Sequence, residues 1–149
     1  MRYLGGMVLT GAAGEWPTGL GNDLDLANVV LVGGRDFDLP EQARITSGLI
    51  AHVGIGPDLP RRLTDAIGGR PIYIHLDCDV LDAGLLATEY QSPGGLTFAG
   101  LAAAFDVLAQ HDVVGLEIAE YETCWPDGRP NDSSELVRAI EPVLLKLRL

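Results

Sequence analysis

The stretch that decides the reading of this chain is Pro71-Ile72-Tyr73-Ile74-His75-Leu76-Asp77-Cys78-Asp79-Val80-Leu81-Asp82. Its first half, residues 71–76, is an apolar run that predicts a strand, and it ends in three carboxylates. Side chains alternate across a strand, so Asp77 and Asp79 share a face if the strand continues. Two hard oxygen donors at the carboxyl end of a strand suit a divalent cation such as Mn²⁺ or Mg²⁺. Asp82 follows one turn later, where it can ligate, hydrogen-bond a ligand or cap the next loop. Acidic residues also collect wherever a strand meets a loop, so the cluster gains meaning only from its company. Cys78 should point to the opposite face and reads as a small buried hydrophobe.

The flanking sequence alternates strand and helix signals. Residues 29–33 (VVLVG) form a β-branched run closed by Gly33-Gly34, the pattern of a buried strand. Asp38-Leu39-Pro40-Glu41 supplies an N-cap, an early proline and an acidic first turn, opening a helix to about Gly48. Residues 49–55 predict a second strand. Asp58 starts a second helix with Leu59, Leu63, Ala66 and Ile67 on one face, stopped by Gly68-Gly69. Residues 71–77 are the third strand, and 83–95 an irregular loop closed by Pro93-Gly94-Gly95. Thr97 can cap a helix whose stripe is Phe98, Leu101, Ala102, Phe105, Leu108 and Ala109. Residues 113–118 give a fourth strand. Asp132-Ser133-Ser134-Glu135 resembles a capping box opening a last helix, with Leu136, Ile140, Val143, Leu144 and Leu147 inward. Pro142 predicts a kink or a break there.

This βαβαβαβα order predicts an α/β fold of three αβα layers, a parallel sheet of about four strands covered on both faces. Ligands of such sheets bind outside the carboxyl ends of the strands. The fourth strand runs into Glu117-Ile118-Ala119-Glu120-Tyr121-Glu122 at that same end. If the two strands are neighbours, Glu120 lies level with Asp77 and Asp79. Converging carboxylates can hold a cation or bind a guanidinium through bidentate hydrogen bonds.

At 149 residues the chain fits a single domain spanning 1–149, and 47% hydrophobic residues argue against disorder. A formal net charge of −11 disfavours nucleic acid or an anionic membrane surface as partner. It is compatible with a cationic small substrate or a metal. No apolar run reaches the ~20 residues that span a bilayer. The opening residues 1–9 carry one basic residue and a glycine-broken apolar segment, which does not read as a signal peptide. Two cysteines, Cys78 and Cys124, make no disulfide framework, so a cytoplasmic location is expected.

Asp77-x-Asp79-x-x-Asp82, then Pro93-Gly94-Gly95-Leu96-Thr97, then Val114-Gly115-Leu116-Glu117-Ile118-Ala119-Glu120 resemble the ureohydrolase family of arginases, agmatinases and formiminoglutamases. Residues 29–36 (VVLVGGRD) and Leu4-Gly5-Gly6-Met7 resemble two further family segments. The resemblance implies an arginase-like fold and a binuclear Mn²⁺ site that hydrolyses a guanidino or amidino C–N bond, with two cations activating water and templating the substrate. It implies that Asp77 and Asp79 are Mn²⁺ ligands and that Glu120 anchors the substrate's guanidinium. Asp82 would support the loop behind the ligands, with His75 as a neighbouring polar group.

The family's upstream metal motifs, G-G-D-H and D-A-H-x-D, do not occur here. Gly5 stands where the family has a proton-shuttling histidine, and Ala83 replaces the proline after Asp82. The chain therefore resembles the C-terminal part of a divergent member, lacking the N-terminal part of the fold. None of His52, His75 and His111 stands in a metal-motif context. His75 shares a face with the aspartates and reads first as a satisfied core histidine. A sheet cut from a larger one exposes an unpaired edge, which predicts a homo-oligomer or an N-terminal segment folded over the edge. Two alternatives remain: a non-catalytic remnant acting as an interaction domain, and a glycosyltransferase whose strand-terminal D-x-D binds Mn²⁺ and a diphosphate.

Overall fold

Four short strands alternate with helices in the computed structural model of the chain, which describes residues 7–147. Leu4-Gly5-Gly6-Met7 therefore lies almost wholly outside the described residues. The chain falls into two compact units, Met1–Leu31 with Asp36–His52, and Val32–Arg35 with Val53–Leu149.

In the first unit, α1 (Val8–Ala12) gave no signal in the sequence reading. A short 3₁₀ turn, Leu26–Asn28, follows and is capped by Asp25. Helix α2 (Leu39–Thr46) begins with the reciprocal box its sequence predicts. Asp38 accepts from the Glu41 N–H, and the Glu41 carboxylate accepts from the Asp38 N–H. Strands β1 (Val30–Val32) and β2 (Ala51–Val53) run parallel; the Ala51 N–H donates to the Val29 carbonyl within the first unit, and the Gly33 N–H to that of Val53 within the second.

The second unit holds α3 (Leu59–Ile67), β3 (Ile72–Asp77), α4 (Phe98–Leu108), β4 (Val113–Ala119) and α5 (Ser134–Lys146). Gly68 ends α3 in the left-handed conformation at φ +61°, which costs glycine little. Thr97 caps α4 by accepting from the Gly100 N–H. Helix α4 packs against both α3 and α5. Its buried stripe is Leu101, Ala104, Phe105 and Val107, turned slightly from the one predicted. Leu59, Leu63 and Ile67 of α3, and Leu136, Ala139, Ile140 and Val143 of α5, complete the buried helical faces.

The α/β class with parallel strands is as the sequence predicts, and two details within it differ. The strands pair two by two, β1 with β2 and β3 with β4, instead of forming one four-stranded sheet among the described residues. Hydrophobic runs say where strands lie, but non-local packing selects which edges meet. Helix α5 also continues through Pro142 without the break that is one of the two predicted outcomes, although the proline removes one i→i−4 hydrogen bond. Its N-cap, Ser133, makes no side-chain cap bond; the preceding Asp132 accepts from both the Ser134 N–H and its hydroxyl, and the predicted box does not form.

Candidate functional site

Strand β3 delivers the carboxylates, but the chain leaves extended geometry sooner than the alternation argument assumes. The strand ends at Asp77, and Cys78–Val80 forms a 3₁₀ turn. Asp77 and Asp79 meet because the turn folds back: the Asp77 carboxylate accepts from the Asp79 N–H at 3.2 Å. Desolvation, then the Asp77 charge and a hydrogen bond with its carboxyl, hold the Asp79 carboxyl above its ordinary range. Arg35 opposes that shift, and Glu120 adds to it. Cys78 is fully buried, and its thiol is pushed up to about 11 by desolvation, then by Asp77, Asp79 and Glu120. It therefore stays protonated and packs as a small apolar group.

Asp82 does not face the same way. Its Oδ1 accepts from the N–H groups of Gly94 at 2.7 Å, Ala83 at 3.1 Å and Gly95 at 3.2 Å. Those bonds, Gly95 and Gly94 foremost, hold its carboxyl below the usual carboxylate range. A parallel bridge, Leu81 with Leu96, locks the same turn: the Leu96 N–H donates to Val80 and the Asp82 N–H to Leu96. The bridge brings the main chain so close that a Cβ on Gly95 would sit 2.4 Å from the Leu81 carbonyl.

Strand β4 lies parallel to β3, with Tyr73 opposite Gly115, His75 opposite Glu117 and Asp77 opposite Ala119. Glu120 is the next residue, so it projects beyond the same strand ends as the aspartates. Its φ is +57°, a left-handed conformation that a glutamate rarely adopts. The loop after it is tied back by Asn131, whose side chain accepts from the Ala87 N–H and donates to the Ala87 and Glu122 carbonyls. The Tyr121 hydroxyl donates to the Asn131 carbonyl.

His75 overturns the reading of a satisfied core histidine. Its side chain is 56% exposed, and Nδ1 lies 2.7 Å from Glu117 Oε1. Alternation gives this face Tyr73 and His75, whereas Ile74 and Leu76 take the buried one. Two residues that pattern reading passed over also shape the site. One is Asn131; the other is Arg35, whose guanidinium donates to four main-chain carbonyls around the carboxylate turn. The signals for it were its place two positions beyond a strand-closing glycine and inside the VVLVGGRD segment that resembles the family's.

A two-metal centre needs more donors than these. Among the described residues no group of three or more His, Cys, Asp or Glu is arranged to hold a metal ion. Asp77 spends one oxygen on the turn, and Cys78 is protonated and packed away. The residues present therefore do not fit a binuclear site. What they offer is a cluster of carboxylates open to a cationic group.

A model of the arginase family matches residues 20–136. The chain belongs to the arginase family. An N(omega)-hydroxy-L-arginine amidinohydrolase of Streptomyces lavendulae is 34% identical over 142 residues, which cover 95% of this chain and 50% of that protein. The arginase of Helicobacter pylori superposes with a TM-score of 0.69 at 17% identity, over 88% of this chain and 47% of its own. A hypothetical agmatinase of Burkholderia thailandensis gives 0.58 at 25% identity, over 81% and 37%. This arginase-family chain thus has the family's α/β fold with parallel strands and spans about half the length of the curated relative it matches.

Proposed function

We propose that this chain supplies the substrate-facing carboxylates of an amidinohydrolase-type centre, of the class that cleaves a C–N bond in small guanidino or amidino compounds. The observation that carries the reading is the convergence of Asp77, Asp79 and Glu120 beyond the ends of two paired parallel strands. A guanidinium is planar, cationic and rich in N–H donors, and carboxylates bind it by charge-assisted paired hydrogen bonds. In this reading Glu120 anchors the substrate, and Asp77 and Asp79 are the chain's contribution to Mn²⁺. Among the described residues no group of three or more His, Cys, Asp or Glu is arranged to complete the family's pair of metals. No hydrolytic step is therefore assigned to this chain by itself, and we expect it to be inactive or impaired alone.

A cytoplasmic home is proposed with it, supported by the free thiols of Cys78 and Cys124. So is self-association. No third strand pairs with β3 or β4 among the described residues, and Tyr73, Val114 and Ile118 are exposed on that sheet. The same exposed sheet favours a second reading, a non-catalytic interaction domain. Nothing in the site favours a diphosphate-binding glycosyltransferase over the family reading.

Calorimetric titration with Mn²⁺, run beside product release from arginine, N(omega)-hydroxyarginine and agmatine, tests the assignment. Weak Mn²⁺ binding that disappears in Asp77→Asn, without turnover, is the expected result. Two tightly held cations with turnover would overturn the half-site reading. No Mn²⁺ effect together with no guanidino binding would leave the interaction domain.

A further inference from the structure

The structure assigns Arg35 as the positioning residue of the carboxylate turn: a guanidinium seated in a cage of main-chain carbonyls, which fixes where Asp79 stands. Its Nη2 donates to the carbonyls of Asp79 at 2.8 Å, Leu81 at 3.1 Å and Ser92 at 2.8 Å, and Nη1 to Val80 at 3.4 Å. Nη2 has two hydrogens for three acceptors, so one is shared. Three of the four carbonyls belong to successive residues, 79 to 81. Their dipoles all point inward, an arrangement that leaves a concentrated negative potential unless a cation fills it.

Arg35 is surrounded by acids yet pairs with none of them through a hydrogen bond. Its charge acts on Asp79 and Asp82 only through space. Its Nε is buried and has no hydrogen-bond partner among the described residues, so there the carbonyl cage sets the seat. The cation thus offsets part of the acidic cluster without occupying any of its carboxylate oxygens. A lysine cannot substitute, because one ammonium lacks the planar fork that reaches both Val80 and Ser92.

A second feature of the same chain segment points to the same turn. Gly33 has φ +68°, and a Cβ there would lie 2.8 Å from Val80 Cγ2. The end of β1 must therefore be bare at residue 33 to approach the turn, and charged at residue 35 to hold it. Ser92 joins because the loop closed by Gly94 and Gly95 returns to Asp82 on the other side. The turn is consequently gripped twice, by Asp82 through N–H groups and by Arg35 through C=O groups.

The functional importance of the turn rests on the reading of Asp77 and Asp79 given above; the clamp itself does not. Deleting the side chain in Arg35→Ala leaves a vacant seat shaped for guanidinium. Amide spectra of ¹⁵N-labelled Arg35→Ala should show residues 79–82 and 92 displaced. About 50 mM guanidinium chloride, far below unfolding concentrations, should return them toward wild-type positions, whereas equal sodium chloride or urea should not. Mn²⁺ line broadening at Asp77 and Asp79, read in the same samples, should need about tenfold more metal in the variant and recover with guanidinium.

Displacement without guanidinium-specific recovery would overturn the clamp. Absence of Mn²⁺ broadening in the wild type would overturn the metal reading and leave the clamp intact. Should Arg35→Ala not fold even with guanidinium present, the wild type decides. Seated Nη groups rotate slowly and give separate ¹⁵N resonances for Arg35, and a single averaged Nη signal would refute the proposal.

Discussion

Replacing Gly95 with alanine should destabilise the protein far more than the same change one residue earlier. A Cβ on Gly95 would lie 2.4 Å from both the carbonyl carbon and oxygen of Leu81, and 2.5 Å from the Asp82 nitrogen. All three are main-chain atoms, so no side chain can swing away. Ordinary contact begins at 3.4 Å, and the strands of the bridge must therefore part by about 1 Å. That movement breaks the bonds from Leu96 N–H to Val80 and from Asp82 N–H to Leu96, each 2.8 Å long. Two main-chain bonds at about 1 kcal/mol each, with about 1–3 kcal/mol for overpacking, predict a loss of about 3–5 kcal/mol.

Gly94 is the control. It has φ +82° and open space around its missing Cβ, so alanine there incurs only left-handed strain of about 1–2 kcal/mol. Urea unfolding followed by circular dichroism gives both values, and melting should place Gly95→Ala about 10 °C below wild type. If Gly95→Ala loses no more than Gly94→Ala, the close bridge between residues 81 and 96 is wrong. The site would then have lost the frame that holds Asp82.

Asp82→Asn tests the other half of that frame. The folded carboxyl is depressed by N–H donors, so its stabilisation is complete above the ordinary value near ~3.9 and disappears as pH falls through the lower folded value. The asparagine variant should be weaker at neutral pH and show a flatter loss of urea stability below about pH 4; an unchanged acid limb contradicts the assignment. Glu120→Gly should gain about 1 kcal/mol by releasing a φ of +57°, while abolishing any binding of arginine or agmatine. A less stable variant would show that Glu120 holds the fold and is not strained for a ligand.

Local patterning reached the elements because their signals are local. The Asp38–Glu41 box, the Gly68 stop and the Thr97 cap each depend on a few adjacent residues, and each appears where its sequence puts it. Helix α1 left no signal because five residues are too few to show a period. Pro142 misleads as a breaker because it sits in a helix whose Ala139, Ile140 and Val143 are buried. That packing outweighs one missing hydrogen bond.

By itself the sequence determined that parallel strands end in acids, that Asp77, Asp79 and Glu120 belong at one end, and which family's motifs they match. The motif order carries that much, and once the two strands are neighbours parallel pairing brings their equivalent ends together. Only the tertiary structure decided how the acids meet. A 3₁₀ turn, not a continued strand, brings Asp79 to Asp77, and Asp82 turns to the Gly94 and Gly95 amides. His75 emerges on the open face of its sheet, and Arg35 crosses 44 residues of sequence to reach the Asp79 carbonyl. Those outcomes depend on contacts between distant segments, which no local pattern of charge and hydrophobicity encodes.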